Sequence, residues 1–144
     1  MDGSWLGGYL EAWKLHSCCV GQGGEVNLAQ LLSYMDPDVR YEDVPGAAVF
    51  VGHDGIREMT KSASQMSSDL QFELLSSVCD GRTFAFESIC RGTNTGGVGP
   101  VPATGRSFEF RLASVGEVSE QGLVTAQRDY WDLAGLLAQL GVGG

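Results

Sequence analysis

Two short stretches hold the side chains best suited to proton transfer. In LVTAQRDYW at 123–131, period-two alternation puts Asp129 on one face with Leu123, Thr125, Gln127 and Trp131. The same rule puts Tyr41 and Asp43 together in YED at 41–43. If these faces line an apolar hollow, Asp129 is a carboxylate held against Trp131 in low dielectric. Desolvation then raises its pKa from a reference of about 3.9 toward the range where it both takes and gives a proton. One or two carboxylates beside a phenol suit enolisation, aldol closure, double-bond migration or water activation. Plainer readings stand beside these. Asp129 could pair at the surface with Arg128 or Arg111, and Asp43, close to Pro45 and Gly46, could be an ordinary turn aspartate. Tyr9 shares a helical stripe with Leu6 and Trp13 and reads equally as core.

The elements that must position these residues follow from hydrophobic period. Leu6, Tyr9, Leu10 and Trp13 fall at i, i+3, i+4 and i+7, one face of a first helix that GQGG at 21–24 breaks. Leu28, Leu31, Leu32 and Met35 repeat the spacing, so a second helix is expected to run to Pro37. A third, at about 54–66, carries Ile56, Met59, Ala63 and Met66 on one side. From Leu70 the period is two. Leu70, Phe72 and Leu74 alternate with polar neighbours, and Asp80-Gly81 signals a hairpin turn. On the following strand Phe84, Phe86, Ser88 and Cys90 share one face, and Ala85, Glu87, Ile89 and Arg91 the other. A Gly/Pro/Thr loop at 92–105 precedes strands at about 106–118 and 122–131, joined near Glu120-Gln121-Gly122. Leu133, Leu136, Leu137 and Leu140 then mark a closing helix, with Asp132 as its cap and Gly141 at its end. Helices followed by a run of antiparallel strands give an α+β domain, with helices on one face of a strongly curved sheet. Such a sheet forms a cone whose hollow is an apolar pocket for a small ligand.

Composition narrows the function. The chain has 144 residues, a single-domain length, and a formal charge of −9 with only Lys14 and Lys61 as lysines. That balance excludes a phosphate-tracking nucleic-acid surface and an anionic membrane partner, and favours a neutral or apolar ligand. No apolar run reaches a membrane span, and MDGSWLGGYLEAWK lacks the basic start of a secretion signal, so a cytoplasmic protein is expected. Cys18, Cys19, Cys79 and Cys90 form no C-x-x-C pair, and His16 and His53 stand apart. The glycines at 96, 97 and 99 form no phosphate loop, because no lysine follows them. Neither a metal nor an organic cofactor is expected.

Three stretches carry a resemblance to a known family. YEDVPGAAVFVGHDGIREM at 41–59 has a strand, acid, proline and G-x-x-x-I-R helix start. GTNTGGVGPVPATGRSFEF at 92–110 is similar to a G-T-x-T-G, P-x-T-G-R loop and strand, with Asn94 where histidine is usual. RDYWDLAGLLAQLG at 128–141 matches a last strand and closing helix nearly residue for residue. Together they resemble the SnoaL-like polyketide cyclases of the nuclear-transport-factor-2-like superfamily, which includes ketosteroid isomerases and limonene-epoxide hydrolases. The resemblance implies that Asp129 is the acid–base residue. It puts Asp43 at the position of an isomerase base or a water-holding asparagine, and Tyr41 at that of a tyrosine holding the same water. Tyr9 matches an oxyanion-donating tyrosine. Where epoxide hydrolases need arginine and a second aspartate, this chain has Ser88 and Cys90; where isomerases use a protonated aspartate, it has Ser114.

The expected function is cofactor-independent acid–base chemistry of the cyclase or isomerase type on a polyketide, terpenoid or steroid-like molecule. Asp129, Asp43 and Tyr41 are the catalytic candidates. Tyr9, Trp13, Phe86, Ser88, Cys90, Ser114 and Trp131 are the expected substrate contacts. An epoxide hydrolase with a degenerate triad and a non-catalytic binding module are the alternatives. Val115, Ala126 and Tyr130 fall on the outer sheet face, which a second copy would cover, so a homodimer is expected.

Overall fold

The computed structural model describes residues 4–18, 24–97 and 101–142. The glycines at 21–23, Cys19 and Gly99 lie outside the described residues, as do the side chains of His16 and Cys18. Helix α1 (Ser4–Cys18) buries the stripe of Leu6, Tyr9, Leu10 and Trp13 against the sheet, and α2 (Gly24–Leu32) buries Leu31 and Leu32. Strands β1 (Met35–Asp43) and β2 (Ala48–Val51) come next, then α3 (Gly52–Met66). Strands β3 (Gln71–Asp80), β4 (Thr83–Thr93), β5 (Ser107–Val118) and β6 (Val124–Trp131) precede the closing helix α4 (Leu133–Gln139). The architecture is the expected α+β arrangement, with the chain ordered β2-β1-β6-β5-β4-β3 in a six-stranded sheet that does not close into a barrel.

Several details depart from the sequence expectations. Met35 does not extend the second helix; it begins β1. The Tyr34 carbonyl accepts the Val124 N–H at 2.8 Å and Met35 pairs with Val124, so the sheet captures the chain directly after the helix. Pro37, which has no N–H to donate, falls where the β1–β6 ladder shifts register between Met35 and Arg40. The pairing of β1 with β6 is parallel, whereas every other neighbouring pair is antiparallel. A bulge at Thr125 also corrects the face assigned to the last strand. Val118 pairs with Val124 and Glu117 with Ala126, so buried Val124, not Leu123 or Thr125, lies inward with Gln127.

Other local readings hold. The β3–β4 hairpin turns through Gly81, whose φ of 60° suits the first centre of a two-residue turn. Phe84, Phe86, Ser88 and Cys90 are all buried on the inner face of β4. Asp132 caps α4 by accepting the Gly135 N–H at 2.9 Å, and Gly141 follows with φ 74°. Asn94 is fully buried and clasps the 92–105 loop. Its Oδ1 accepts the Thr104 N–H and hydroxyl, each at 2.7 Å, and its amide donates to Gly96 at 3.0 Å. Past the end of β6, the Gln139 side chain both accepts from and donates to the Glu109 backbone at 2.8 Å, standing in for a missing strand neighbour.

Two glycines are required by close approach. A Cβ on Gly116 would lie 2.5 Å from Phe84 Cζ and would collide with the Ala126 carbonyl oxygen. Gly116→Ala is therefore expected to cost about 1–3 kcal/mol, because neither the packed ring nor the backbone can retreat. Urea unfolding of the variant tests this, and unchanged stability would contradict the packing. At the start of α3, Gly52 has φ 72° and its missing Cβ leaves room for the Pro37 carbonyl.

Candidate active site

The sheet register assembles the site in rows across its inner face. One row runs Tyr41, Gln127, Gly116, Phe84; the next runs Asp43, Asp129, Ser114, Phe86; a third holds Trp131, Leu112 and Ser88. Parallel pairing of β1 with β6 thus sets the two aspartates side by side, and α1 covers them with Tyr9 and Trp13. Trp13 packs edge-on against Phe86 and Phe72, with ring centroids 5.0 Å and 4.7 Å away. Tyr9, Trp13, Tyr41, Phe86, Ser88, Cys90 and Ser114 are each no more than 3% exposed.

Asp129 is 8% exposed and is solvated by protein donors instead of water. Its Oδ1 accepts the Ser114 hydroxyl at 2.7 Å and the Gln127 amide at 3.0 Å, and its Oδ2 accepts the Tyr41 hydroxyl. A carboxylate offers about four acceptor positions, so the remaining lone pair is on Oδ2. Burial pushes Asp129 above the usual carboxylate range, opposed by the hydrogen bonds from Tyr41, Ser114 and Gln127 and assisted by the charge of Asp43. The same burial, together with the nearby Asp129 charge, raises the Tyr9 and Tyr41 phenols well above their ordinary value, so both stay protonated donors. The surface alternative fails on geometry. Arg128 forks onto Glu117 at 3.1 and 3.3 Å, and the nearest acid to Arg111 is Glu87.

Asp43 is half-buried at the edge of this cluster. Trp131 Nε1 donates to its Oδ1 at 2.7 Å, and the Gly46 N–H donates to the same carboxylate. Burial raises its pKa, while the bonds from Trp131 and Gly46 pull it back. A Cβ on Gly46 would come within 2.5 Å of Asp43 Oδ2, and Ala47 in the same turn has φ 54°. Asp43 therefore combines both sequence readings: it organises a tight turn, and it faces the Asp129 cluster. Trp131, expected against Asp129, instead binds Asp43 and stacks on Phe110 with centroids 4.8 Å apart.

Gln127 is the site residue that the candidate set omitted. It joins Tyr9, Tyr41 and Asp129, and its signal in the sequence was its place two residues before Asp129 on an alternating strand. Ser88 is brought to the inner face but its buried hydroxyl has no hydrogen-bond partner. Cys90 sits further along, in a second apolar cluster with Leu70, Phe108 and Leu136. These side chains line the inner face of the sheet around Asp129. A groove of about 600 Å³ lies elsewhere, lined by polar residues including Asp69, Arg91, Thr93 and Gln139. Among the described residues no group of three or more His, Cys, Asp or Glu side chains could hold a metal ion, and no helix is long and apolar enough to cross a membrane.

Two expectations follow. Ser88→Ala removes an unpartnered buried hydroxyl and should leave stability unchanged or raised by up to about 1 kcal/mol, measured by thermal unfolding; a clear loss would mean the hydroxyl has a partner. Asp129 has a raised native pKa, so folding favours its protonated form. Its contribution is full below the unfolded value near 3.9 and is lost as pH rises through the native value. The stability difference between wild type and Asp129→Asn should therefore move in the variant's favour from about pH 4 to pH 8. A pH-independent difference would contradict the buried carboxyl.

Comparison with known proteins places this geometry in a family. The model of the SnoaL-like polyketide cyclase family matches residues 20–140. No protein of curated function gives a significant match. Among solved structures, TsrD from Streptomyces laurentii is 25% identical with a TM-score of 0.82, covering 98% of each chain. IdmH from Streptomyces antibioticus, described as a proposed polyketide cyclase, is 21% identical with a TM-score of 0.73, covering 97% of this chain and 98% of that one. A protein of ketosteroid isomerase-like fold from Catenulispora acidiphila, in complex with trimethylamine, is 19% identical with a TM-score of 0.76, covering 93% and 92%. The fold, the alternating final strand that carries Asp129 and the family match agree: the chain belongs to the SnoaL-like polyketide cyclase family.

Proposed function

We propose that this chain, acting as one domain, is a cofactor-independent acid–base enzyme of the cyclase or isomerase type, working on a small hydrophobic polyketide, terpenoid or steroid-like molecule. The observation that carries the proposal is the buried Asp129 carboxylate, whose Oδ2 keeps a free lone pair while three donors hold the rest of the group. Desolvation makes it a stronger base than an exposed aspartate. In an aldol closure, Oδ2 takes the proton from a carbon beside a carbonyl, and the resulting enolate attacks a second carbonyl of the same molecule. The Asp129 proton then passes to the new alkoxide. Ser88, the inner-face hydroxyl without a protein partner, is available to donate to a ligand oxygen. Trp13, Phe86 and Trp131 supply apolar and aromatic contact area, and Asp43 holds Trp131 in place.

The alternative is a non-catalytic small-molecule-binding module built on the same fold. Turnover separates the two readings. Asp129→Asn should fold and lose about 10²–10⁴-fold in rate on any enolisable polyketide that wild type converts. Asp43→Asn should cost less if Asp43 only positions Trp131, and as much if it is itself a base. Wild-type turnover by Asp129→Asn would remove Asp129 from the mechanism.

The working unit is proposed to be a homodimer in the cytoplasm. On the outer sheet face Val78, Ala85 and Val115 follow one another across three strands, and Val78 and Tyr130 are 66% and 45% exposed. A second copy would cover this face. Sedimentation at micromolar concentration should give a dimer, and a monomer there would refute it.

A further inference from the structure

Gln127 is completely buried, and every hydrogen-bonding position of its amide toward the site is used. Its Oε1 accepts the Tyr9 hydroxyl; its Nε2 donates to the Tyr41 hydroxyl at 2.9 Å and to Asp129 Oδ1 at 3.0 Å. The direction of these bonds is fixed by chemistry. A flipped amide would set its oxygen against an ionised Asp129 Oδ1, which has no proton to offer. Because Tyr41 accepts from Gln127, its one proton is free to point at Asp129 Oδ2. Because an amide oxygen only accepts, Tyr9 must donate to Gln127 Oε1. The bonds therefore all point one way, from helix α1 through Gln127 to the carboxylate.

We infer that Gln127 is a positioning residue that couples the Tyr9 hydroxyl on α1 to the charge on Asp129, so that the helix covering the site senses the protonation state of the base. The inference rests on the reading of Asp129 as the acid–base group but does not require a substrate. A donated bond at Oε1 polarises the amide and strengthens what its N–H groups donate, so Tyr9 favours the ionised carboxylate without touching it. Protonation of Asp129 removes the reason for the amide's orientation, and the hold of Tyr9 on Gln127 weakens in turn. The titratable groups facing Asp129 are Tyr41 and Asp43 on β1 and Tyr9 on α1. Strand β5 offers only the Ser114 hydroxyl there, since Glu117 is paired with Arg128 of β6; His53 of α3 contacts the Met35 carbonyl at the start of β1.

The test is the pH titration of the Asp129 carboxyl carbon by NMR in the full-length protein, with Asp43 followed in the same spectra. Tyr9→Phe keeps the ring and removes only the bond to Gln127. It should raise the Asp129 midpoint by about 0.1–0.7 pH unit, the fraction by which one bond in a chain strengthens the next. Gln127→Met should raise it by about 1–2 pH units through direct loss of a bond to the charge. In the Gln127→Met background, Tyr9→Phe should have no further effect. The inference is overturned if Tyr9→Phe leaves the Asp129 midpoint in place or lowers it. It is equally overturned if the shift persists without Gln127, because Tyr9 then acts directly. If Gln127→Met does not fold, the sign of the Tyr9→Phe shift at Asp129, set against an unmoved Asp43, still decides. None of these outcomes depends on turnover, so a failed coupling and a failed catalytic assignment are read in separate experiments.

Discussion

A carboxylate taken out of water must be solvated by something else, and the arrangement around Asp129 is the consequence. An unpaired ionised group in a protein interior costs several kcal/mol, so it persists only where donors converge on it. Here they come from three directions: Tyr41 from β1, Ser114 from β5 and Gln127 from β6 itself, with Tyr9 of α1 completing the amide. That convergence requires the parallel β1–β6 pairing, which places Tyr41 opposite Gln127 and Asp43 opposite Asp129. It also requires the bulge at Thr125, which keeps Gln127 and Asp129 inward while Val124 fills the core below them. Gly116 lets Phe84 close over the same row.

The Asp129 carboxyl is consequently held between two opposing effects. Burial favours the neutral acid, the donors favour the anion, and the net displacement is upward because desolvation is the larger effect. Asp43 stands at the less buried end, where its carboxylate ties Trp131 to the turn after β1. Trp131 in turn heads a stack of rings with Phe110 and Phe108. Two carboxylates on neighbouring strands thus have different surroundings: one is held by side-chain donors deep in the core, the other by a backbone turn and an indole near its rim.

Charged residues are sorted to the other side of the sheet. Arg91 bridges Glu73 and Glu109, and Arg128 grips Glu117, so the cations of the central strands are neutralised away from the site. Such exposed pairs contribute little to stability, typically under about 1 kcal/mol each. Their importance here is that, among the described residues, Asp129 is held by the neutral donors Tyr41, Ser114 and Gln127 and by no cation. This is the feature that separates the site from one built around an arginine-held carboxylate.

Much of this was legible in the sequence. The helical stripe of Leu6, Tyr9, Leu10 and Trp13, the turn at Asp80-Gly81, the inward face of β4 and the Asp132 cap are local patterns, and each holds in the folded chain. The alternation around Asp129 also correctly put Gln127 and Trp131 on its face, and the motif at 128–141 pointed to the family. Local pattern could not tell that Met35 belongs to a strand, because it is buried in either reading. Nor could it find the Thr125 bulge, the parallel pair or the binding of Trp131 to Asp43. The last two depend on register between segments 88 residues apart, as the Tyr41–Asp129 and Trp131–Asp43 bonds are, and the bulge on how β6 meets β5. A side-chain period reports which face of one element is apolar, whereas only the packed sheet decides which residue of a distant strand stands opposite it. The sequence by itself determined the acids, the phenols and the faces that carry them; the tertiary structure decided which donor meets which acceptor, because a hydrogen bond is set by position within a few tenths of an ångström and not by residue type.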